Sequence, residues 1–231
     1  MNASVLSIAS FNVNGVRSLT KALSLSDLCK SLNGVDILAL QETKLSSGDN
    51  EDRQKLVLSL PGYEGFFNTS SARAGYSGVA VFAKEGLVHG CKDWFDDEEC
   101  PCEHCLELKK EGRFLLLEFS SFVLINVYCP NGGKEKNPDI PLKSEFLRRL
   151  KNTVKQHQAL GRTVVLVGDL NVISQKIDIW YDLQDYQKAV KQGEPCMSQK
   201  VADWLQSMLD TLENGGLGMI DSFRALHPGT V

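Results

Sequence analysis

No apolar stretch among the 231 residues approaches the roughly 20 that a membrane-crossing helix needs, so no such span is expected. The opening M-N-A-S-V-L-S-I-A-S-F lacks a basic start and a long apolar core, and no signal peptide is expected from it. A disulfide framework is missing too: seven cysteines, an odd number at irregular spacing, fit a reducing compartment. Nor is there surplus positive charge. The formal net charge of −4 is not the footprint of a general nucleic-acid coat, although a local basic surface and bound cations still let such a protein hold phosphates. No internal repeat, low-complexity tract or linker stands out. With 42% hydrophobic and 23% charged residues, the composition is that of an ordinary globular protein, and the length fits one large α/β or β-sandwich domain over residues 1–231 as easily as two small ones.

What is present is organised around V-V-L-V-G-D-L-N, Val164 to Asn171. Four branched apolar residues without a polar break predict a strand buried on both faces. Gly168 lets the backbone turn, and Asp169 and Asn171 emerge past the strand end, two apart. A carboxylate and an amide so placed can converge on one ligand. Hard cations such as Mg²⁺ are held through oxygen, with one or two carboxylates plus substrate phosphates. The plainer reading is a strand followed by a turn capped by Asp and Asn.

Other strand ends repeat the pattern. Ser4 to Phe11 predicts a strand running into S-F-N-V-N-G-V-R, with Asn12 and Asn14 on one side and Gly15 as its stop. Apolar residues at helical spacing predict one helix over Leu19 to Leu32. V-D-I-L-A-L-Q-E-T-K then predicts a mostly apolar strand that delivers Glu42 at its end, followed by Lys44, a phosphate contact or a plain surface lysine. Ligands in sheet proteins gather outside the carboxyl ends of strands, so two acidic residues at such ends are informative. S-S-A-R-A-G-Y-S-G-V places Arg73 on an exposed tip before a strand over Val79 to Ala83, where it is a candidate phosphate contact or ordinary surface.

From Leu87 to Gly112 the periodicity dissolves. C-P-C-E-H-C puts Cys100, Cys102, His104 and Cys105 within six residues, a density that suggests zinc. Closing a tetrahedron from so short a stretch would strain the backbone, so residues 87–112 are expected as a surface insertion. Order returns with a hairpin, Arg113 to Phe119 and Phe122 to Tyr128. The irregular Y-C-P-N-G-G leaves the Tyr128 hydroxyl at a strand end, where it can donate to a phosphate oxygen or simply pack. An amphipathic helix is expected over Pro141 to Leu160, with Arg148, Arg149, Lys151 and Lys155 mostly solvated. Downstream, Lys176 to Trp180 is extended, with Asp178 supporting the loop, and Ser198 to Asn214 is helical.

S-F-N-V-N-G-V-R, L-Q-E-T-K, G-Y-S-G-V, V-Y-C-P-N-G and G-D-L-N followed by K-I-D resemble, in order, the motifs of the exonuclease III group of the endonuclease/exonuclease/phosphatase superfamily. The spacing looks most like the eukaryotic AP endonuclease 2 branch. The resemblance implies a four-layered α/β sandwich, two mixed β-sheets flanked by helices. It implies a base-excision-repair nuclease of the nucleus, with cytoplasm or mitochondria as alternatives. Its substrates would be DNA with abasic sites or 3′-blocked ends, cut with Mg²⁺ (or Mn²⁺) on the 5′ side of abasic sites, with 3′-to-5′ exonuclease and 3′-phosphodiesterase activity besides. Carried over by motif, Glu42 is the principal metal ligand with Asn12 next to it. Asp169 orients or deprotonates the attacking water, and Asn171 and Tyr128 donate to the nonbridging oxygen as charge builds up. By the same resemblance Asn14, Arg73 and Tyr128 are the candidate substrate contacts, and Asp169 and Asn171 are further candidate metal ligands.

One departure matters. The group's final segment, with an aspartate that steadies a histidine and a strand ending in S-D-H, does not appear; the four histidines are His89, His104, His157 and His227. The expectation is therefore a family member lacking its last strands, with open sheet edges and little or no catalysis. Two rivals remain. One is a superfamily phosphatase acting on inositol lipids or sphingomyelin, the other a DNA-binding remnant without catalysis.

Overall fold

The computed structural model describes residues 5–95, 103–131, 141–172 and 199–228. These fall into two units, residues 1–129 with 156–170 and residues 130–155 with 171–231. In the first unit, β1 (Ile8–Asn12), β2 (Ile37–Gln41), β3 (Tyr63–Asn68) and β4 (Val79–Lys84) form a sheet in the order β1-β2-β4-β3. A second sheet takes β5 (Gly90–Lys92), β6 (Phe114–Glu118), β7 (Phe122–Tyr128) and β8 (Thr163–Asp169) in sequence order. Both sheets are mixed. β1/β2 and β7/β8 are parallel, and the other pairs are antiparallel. Parallel neighbours cannot be joined by a tight turn, and each pair is bridged through helix: α1 (Val16–Ala22) and α2 (Leu25–Ser31) for the first, α5 (Pro141–Ala159) for the second.

Alternation along β2 explains the layering. Leu38 and Leu40 face Val16, Leu25, Cys29 and, from α3 (Asn50–Leu58), Leu56. Ile37 and Ala39 face the other way, toward Leu115, Leu117 and Leu124 of the second sheet. Helices therefore flank one sheet and the second sheet packs on its other face. Two buried amides tie the sheets together. Gln41 Nε2 donates to Asn126 Oδ1 at 2.8 Å, and Asn126 Nδ2 donates to the carbonyls of Leu40 (3.1 Å) and Ala80 (3.0 Å).

Several expectations need correction. The single helix over Leu19 to Leu32 is two, because Ser24 is extended and its hydroxyl accepts the Asp27 N–H at the start of α2. The strand expected to be buried on both faces, β8, is an edge strand among the described residues and only half buried. Its apolar run reports a strand, not the number of its neighbours. The stretch expected as a surface insertion contains β5 and α4 (Glu103–Lys110), with Phe95, Cys105 and Leu108 buried. Arg149, expected in solvent, is 1% exposed and paired with Glu145 one helical turn away, at 2.7 Å.

In the second unit, Trp204 of α6 (Gln199–Leu209) donates its indole N–H to the Leu147 carbonyl at 2.8 Å, joining α6 to α5. Asp221 caps α7 (Ser222–Leu226) by accepting the Arg224 N–H at 3.0 Å. Among the described residues no helix is long and apolar enough to cross a membrane. Lys176 to Trp180, with Asp178, and the Ser198 start of the last predicted helix lie outside the described residues.

Candidate active site

The parallel pairs end level with each other, Asn12 beside Gln41 in one sheet and Tyr128 beside Asp169 in the other. Because Gln41 and Asn126 bind the sheets just behind these ends, the four strand termini meet. Asn12 Nδ2 donates to Glu42 Oε1 at 2.9 Å and to Asp169 Oδ2 at 2.8 Å. Its oxygen is turned back to accept the Asn14 N–H at 3.0 Å. One amide thus fastens two carboxylates that lie 127 positions apart by number, from Glu42 to Asp169, and come from different sheets.

Local backbone conformation aims these groups. Asn14, Glu42, Lys44 and Ser77 all have positive φ, at 46°, 51°, 55° and 51°. Such geometry costs about 1–3 kcal/mol per residue and persists only where the surroundings over-determine it. Here three loops are cross-bonded. Gly15 N–H donates to the Glu42 carbonyl (2.7 Å), Val16 N–H to Thr43 (3.0 Å), Thr43 N–H to Gly78 (3.0 Å) and Lys44 N–H to Ser77 (2.8 Å). On the other sheet, Gly168 has φ 124°, and a Cβ there would stand 2.0 Å from the Val127 carbonyl oxygen. Only glycine lets β8 lie against β7 immediately before Asp169.

The electrostatics match. Burial and the adjacent negative charge of Glu42 hold the Tyr128 phenol pKa well above the usual value, despite the opposing effect of Arg113. Tyr128 therefore stays protonated, a donor at any working pH. Lys44 Nζ donates to Asn14 Oδ1 and lies 3.8 Å from Glu42 Oε2, so it belongs to the site's floor more than to open surface.

The donor set fits a hard divalent cation. Glu42 and Asp169, joined through Asn12, are two carboxylates of the kind that hold such an ion together with water and substrate oxygens.

Of the residues singled out from sequence, Asn12, Asn14, Glu42, Tyr128 and Asp169 come together. Arg73 lies on the tip, its guanidinium carbon 4.2 Å from the Tyr76 ring centroid. Asn171, with φ 51°, belongs to the second unit, where its carbonyl accepts Lys143 Nζ at 2.7 Å. Asp178, Cys100 and Cys102 lie outside the described residues. Sequence reasoning passed over Gln41, Asn126, Tyr76 and Arg113. A polar residue at the third position of an apolar run, as Asn126 is in L-I-N-V, is the one signal that pointed to a buried bridge.

Residues 9–221 match the Endonuclease/Exonuclease/phosphatase family. The chain is 29% identical over 263 residues to the bovine (Bos taurus) DNA-(apurinic or apyrimidinic site) endonuclease 2, covering 97% of this chain and 49% of that protein. It is 32% identical to recombination repair protein 1 of Drosophila melanogaster, over 96% of this chain and 28% of that protein. The chain thus spans at most about half the length of these relatives. Among solved structures, an AP endonuclease from Archaeoglobus fulgidus superposes with a TM-score of 0.72 at 26% identity, over 98% of this chain and 76% of that one. The Xenopus laevis APE2 catalytic domain gives 0.70 at 26% identity, over 97% and 73%.

Proposed function

Because the chain belongs to the endonuclease/exonuclease/phosphatase family, we propose that its site hydrolyses phosphodiesters of DNA, cutting on the 5′ side of abasic sites and trimming blocked 3′ ends. The observation that carries this reading is the junction of Asn12, Glu42 and Asp169, with Tyr128 beside Asp169 at the same strand ends. The names of the relatives, DNA-(apurinic or apyrimidinic site) endonuclease 2 among them, favour DNA over lipid phosphates as substrate. Such work would take place at nuclear DNA.

A divalent cation, Mg²⁺ or in its place Mn²⁺, held by Glu42 and Asp169 with Asn12 beside them, would supply Lewis-acid polarisation of the scissile phosphate. The chain's own groups do the rest. Asp169 orients a water and takes its proton. Tyr128, kept protonated, donates to a phosphate oxygen as negative charge develops there. Asn12 keeps the two carboxylates in register, and Lys44 offsets part of their charge. Asn171 and Asp178 enter this reading through their motifs alone. No protein nucleophile is involved.

A duplex with one abasic analogue, incubated with Mg²⁺, tests the reading. Cutting is read under single-turnover conditions, which separate the chemical step from product release. The expected product is a nick 5′ to the lesion, lost on chelation and in Asp169→Ala. Binding without any cut would leave a DNA-binding remnant. Hydrolysis of a phosphoinositide instead of DNA would contradict the reading.

A further inference from the structure

Arg113 is buried beside the site, 5% exposed, and is not used in the chemistry above. The E-G-R turn drives it inward: Gly112 has φ 64°, and a Cβ there would stand 2.6 Å from the Thr69 carbonyl carbon. All three guanidinium nitrogens are engaged. Nε donates to Glu111, Nη1 to the Tyr128 carbonyl at 3.0 Å, and Nη2 to the Tyr76 hydroxyl at 2.7 Å. The guanidinium carbon lies 4.7 Å from the centroid of the Tyr128 ring and 5.3 Å from that of Tyr76. The Tyr128 N–H returns a bond to the Arg113 carbonyl at 2.9 Å.

We propose that Arg113 is the positioning residue for Tyr128, clamping its backbone and ring so that the phenol is held at the strand ends beside Asp169, and tying that clamp through Tyr76 to the G-Y-S-G tip. The kinetic side of this inference rests on the nuclease reading; the geometric side does not. A planar fork is what the task requires. Only a guanidinium bonds a carboxylate, a carbonyl and a phenol at once while lying over a ring; an ammonium in its place keeps the charge and loses the fork. A side chain this buried is also badly placed to touch DNA itself, so its effect passes through Tyr128. The tip carries Arg73 over the outer ring of Tyr76, so a phosphate bound there pulls on the same stack.

Arg113→Lys tests the proposal in two ways. With ring-¹³C tyrosine, the signals of Tyr128 and Tyr76, identified by their loss in the respective Phe variants, should move while that of Tyr63 stays. In single-turnover cutting, Arg113→Lys should lower the rate constant by about 10- to 100-fold with half-saturation nearly unchanged. In a Tyr128→Phe background the same substitution should cost less than about twofold, because the group being positioned is gone. Equal losses in both backgrounds, or weaker saturation at an unchanged rate constant, would overturn the proposal. If the unaltered chain cuts no DNA, the nuclease reading falls and the tyrosine signals alone decide: an unmoved Tyr128 signal overturns the clamp. Should Arg113→Lys fail to fold, Tyr76→Phe replaces it in both measurements, removing only the phenol that Nη2 holds. A smaller shift of Tyr128 in the same direction is then expected, and none would overturn the proposal.

Discussion

β2 and β7 run through the middle of their sheets and are buried along nearly their whole length, while β1 and β8, parallel to them, are half-buried edges among the described residues. Each of the four delivers one member of the site. Glu42 and Tyr128 come from the buried strands, Asn12 and Asp169 from the edges. The central half inherits its position from the core and from the Gln41–Asn126 bridge. The edge half has one ladder on each strand, to β2 and to β7, and β1 is further pinned at its ends: Asn12 to the two carboxylates at one, and Ser7 to Asp36 at the other, where the Ser7 N–H and hydroxyl donate at 2.7 and 2.8 Å. Placement by packing and placement by a few polar bonds therefore coexist in one site. They should fail differently.

The sharpest contrast is chemical, since both halves must be present at once. Glu42→Ala, from the central half, and Asp169→Ala, from the edge half, are each expected to slow cutting by about 10³-fold. A loss below about tenfold for Asp169→Ala, measured under single turnover, would remove the edge strand from the site.

Stability should separate the halves next. Asn126→Ala removes the side-chain donor of the buried Leu40 and Ala80 carbonyls and one acceptor of Gln41 Nε2, which keeps Ser10, at a cost of about 2 kcal/mol. On the edge, Phe11→Ala removes a side chain that is 49% exposed and should stay within about 0.5 kcal/mol. Urea melts of both variants check this, and equal costs would erase the distinction.

Acid should release the edge by its far pin. The Lys84 ammonium, with the Ser7 N–H, holds the Asp36 carboxylate down to about 2. A depressed carboxylate stabilises the fold above its ordinary range and loses that contribution as pH falls toward 2, here about 1 kcal/mol once solvent screening is allowed for. Asp36→Asn should flatten the acid limb of stability against pH; an unchanged limb would show that this pin carries nothing. The smallest effect is dynamic. Amide protons of β1 and β8 should exchange faster than those of β2 and β7, whereas uniform protection would mean the edges are held as firmly as the centre.

The sequence carried the strand ends better than the strand neighbours. L-A-L-Q-E and V-L-V-G-D announce apolar strands with an acid at the exit, and β2, β7 and β8 lie where their runs predict. Burial was not readable for β8, because a run of valines looks the same in the middle of a sheet as on its rim. Arg149 misled for a related reason: helical periodicity reports the face of α5 but not that Glu145 neutralises a buried charge on it. Arg113, Gln41 and Asn126 escaped notice because their roles depend on what lies across the sheet, not along the chain.

The most direct test of the central claim, that Glu42 and Asp169 from separate sheets grip one divalent ion, is Mn²⁺ binding followed by electron paramagnetic resonance. The account predicts one site on the unaltered chain, weakened by Glu42→Ala and by Asp169→Ala alike, and tightened by an abasic duplex whose phosphate completes the shell. Mn²⁺ bound equally well by either variant would contradict it.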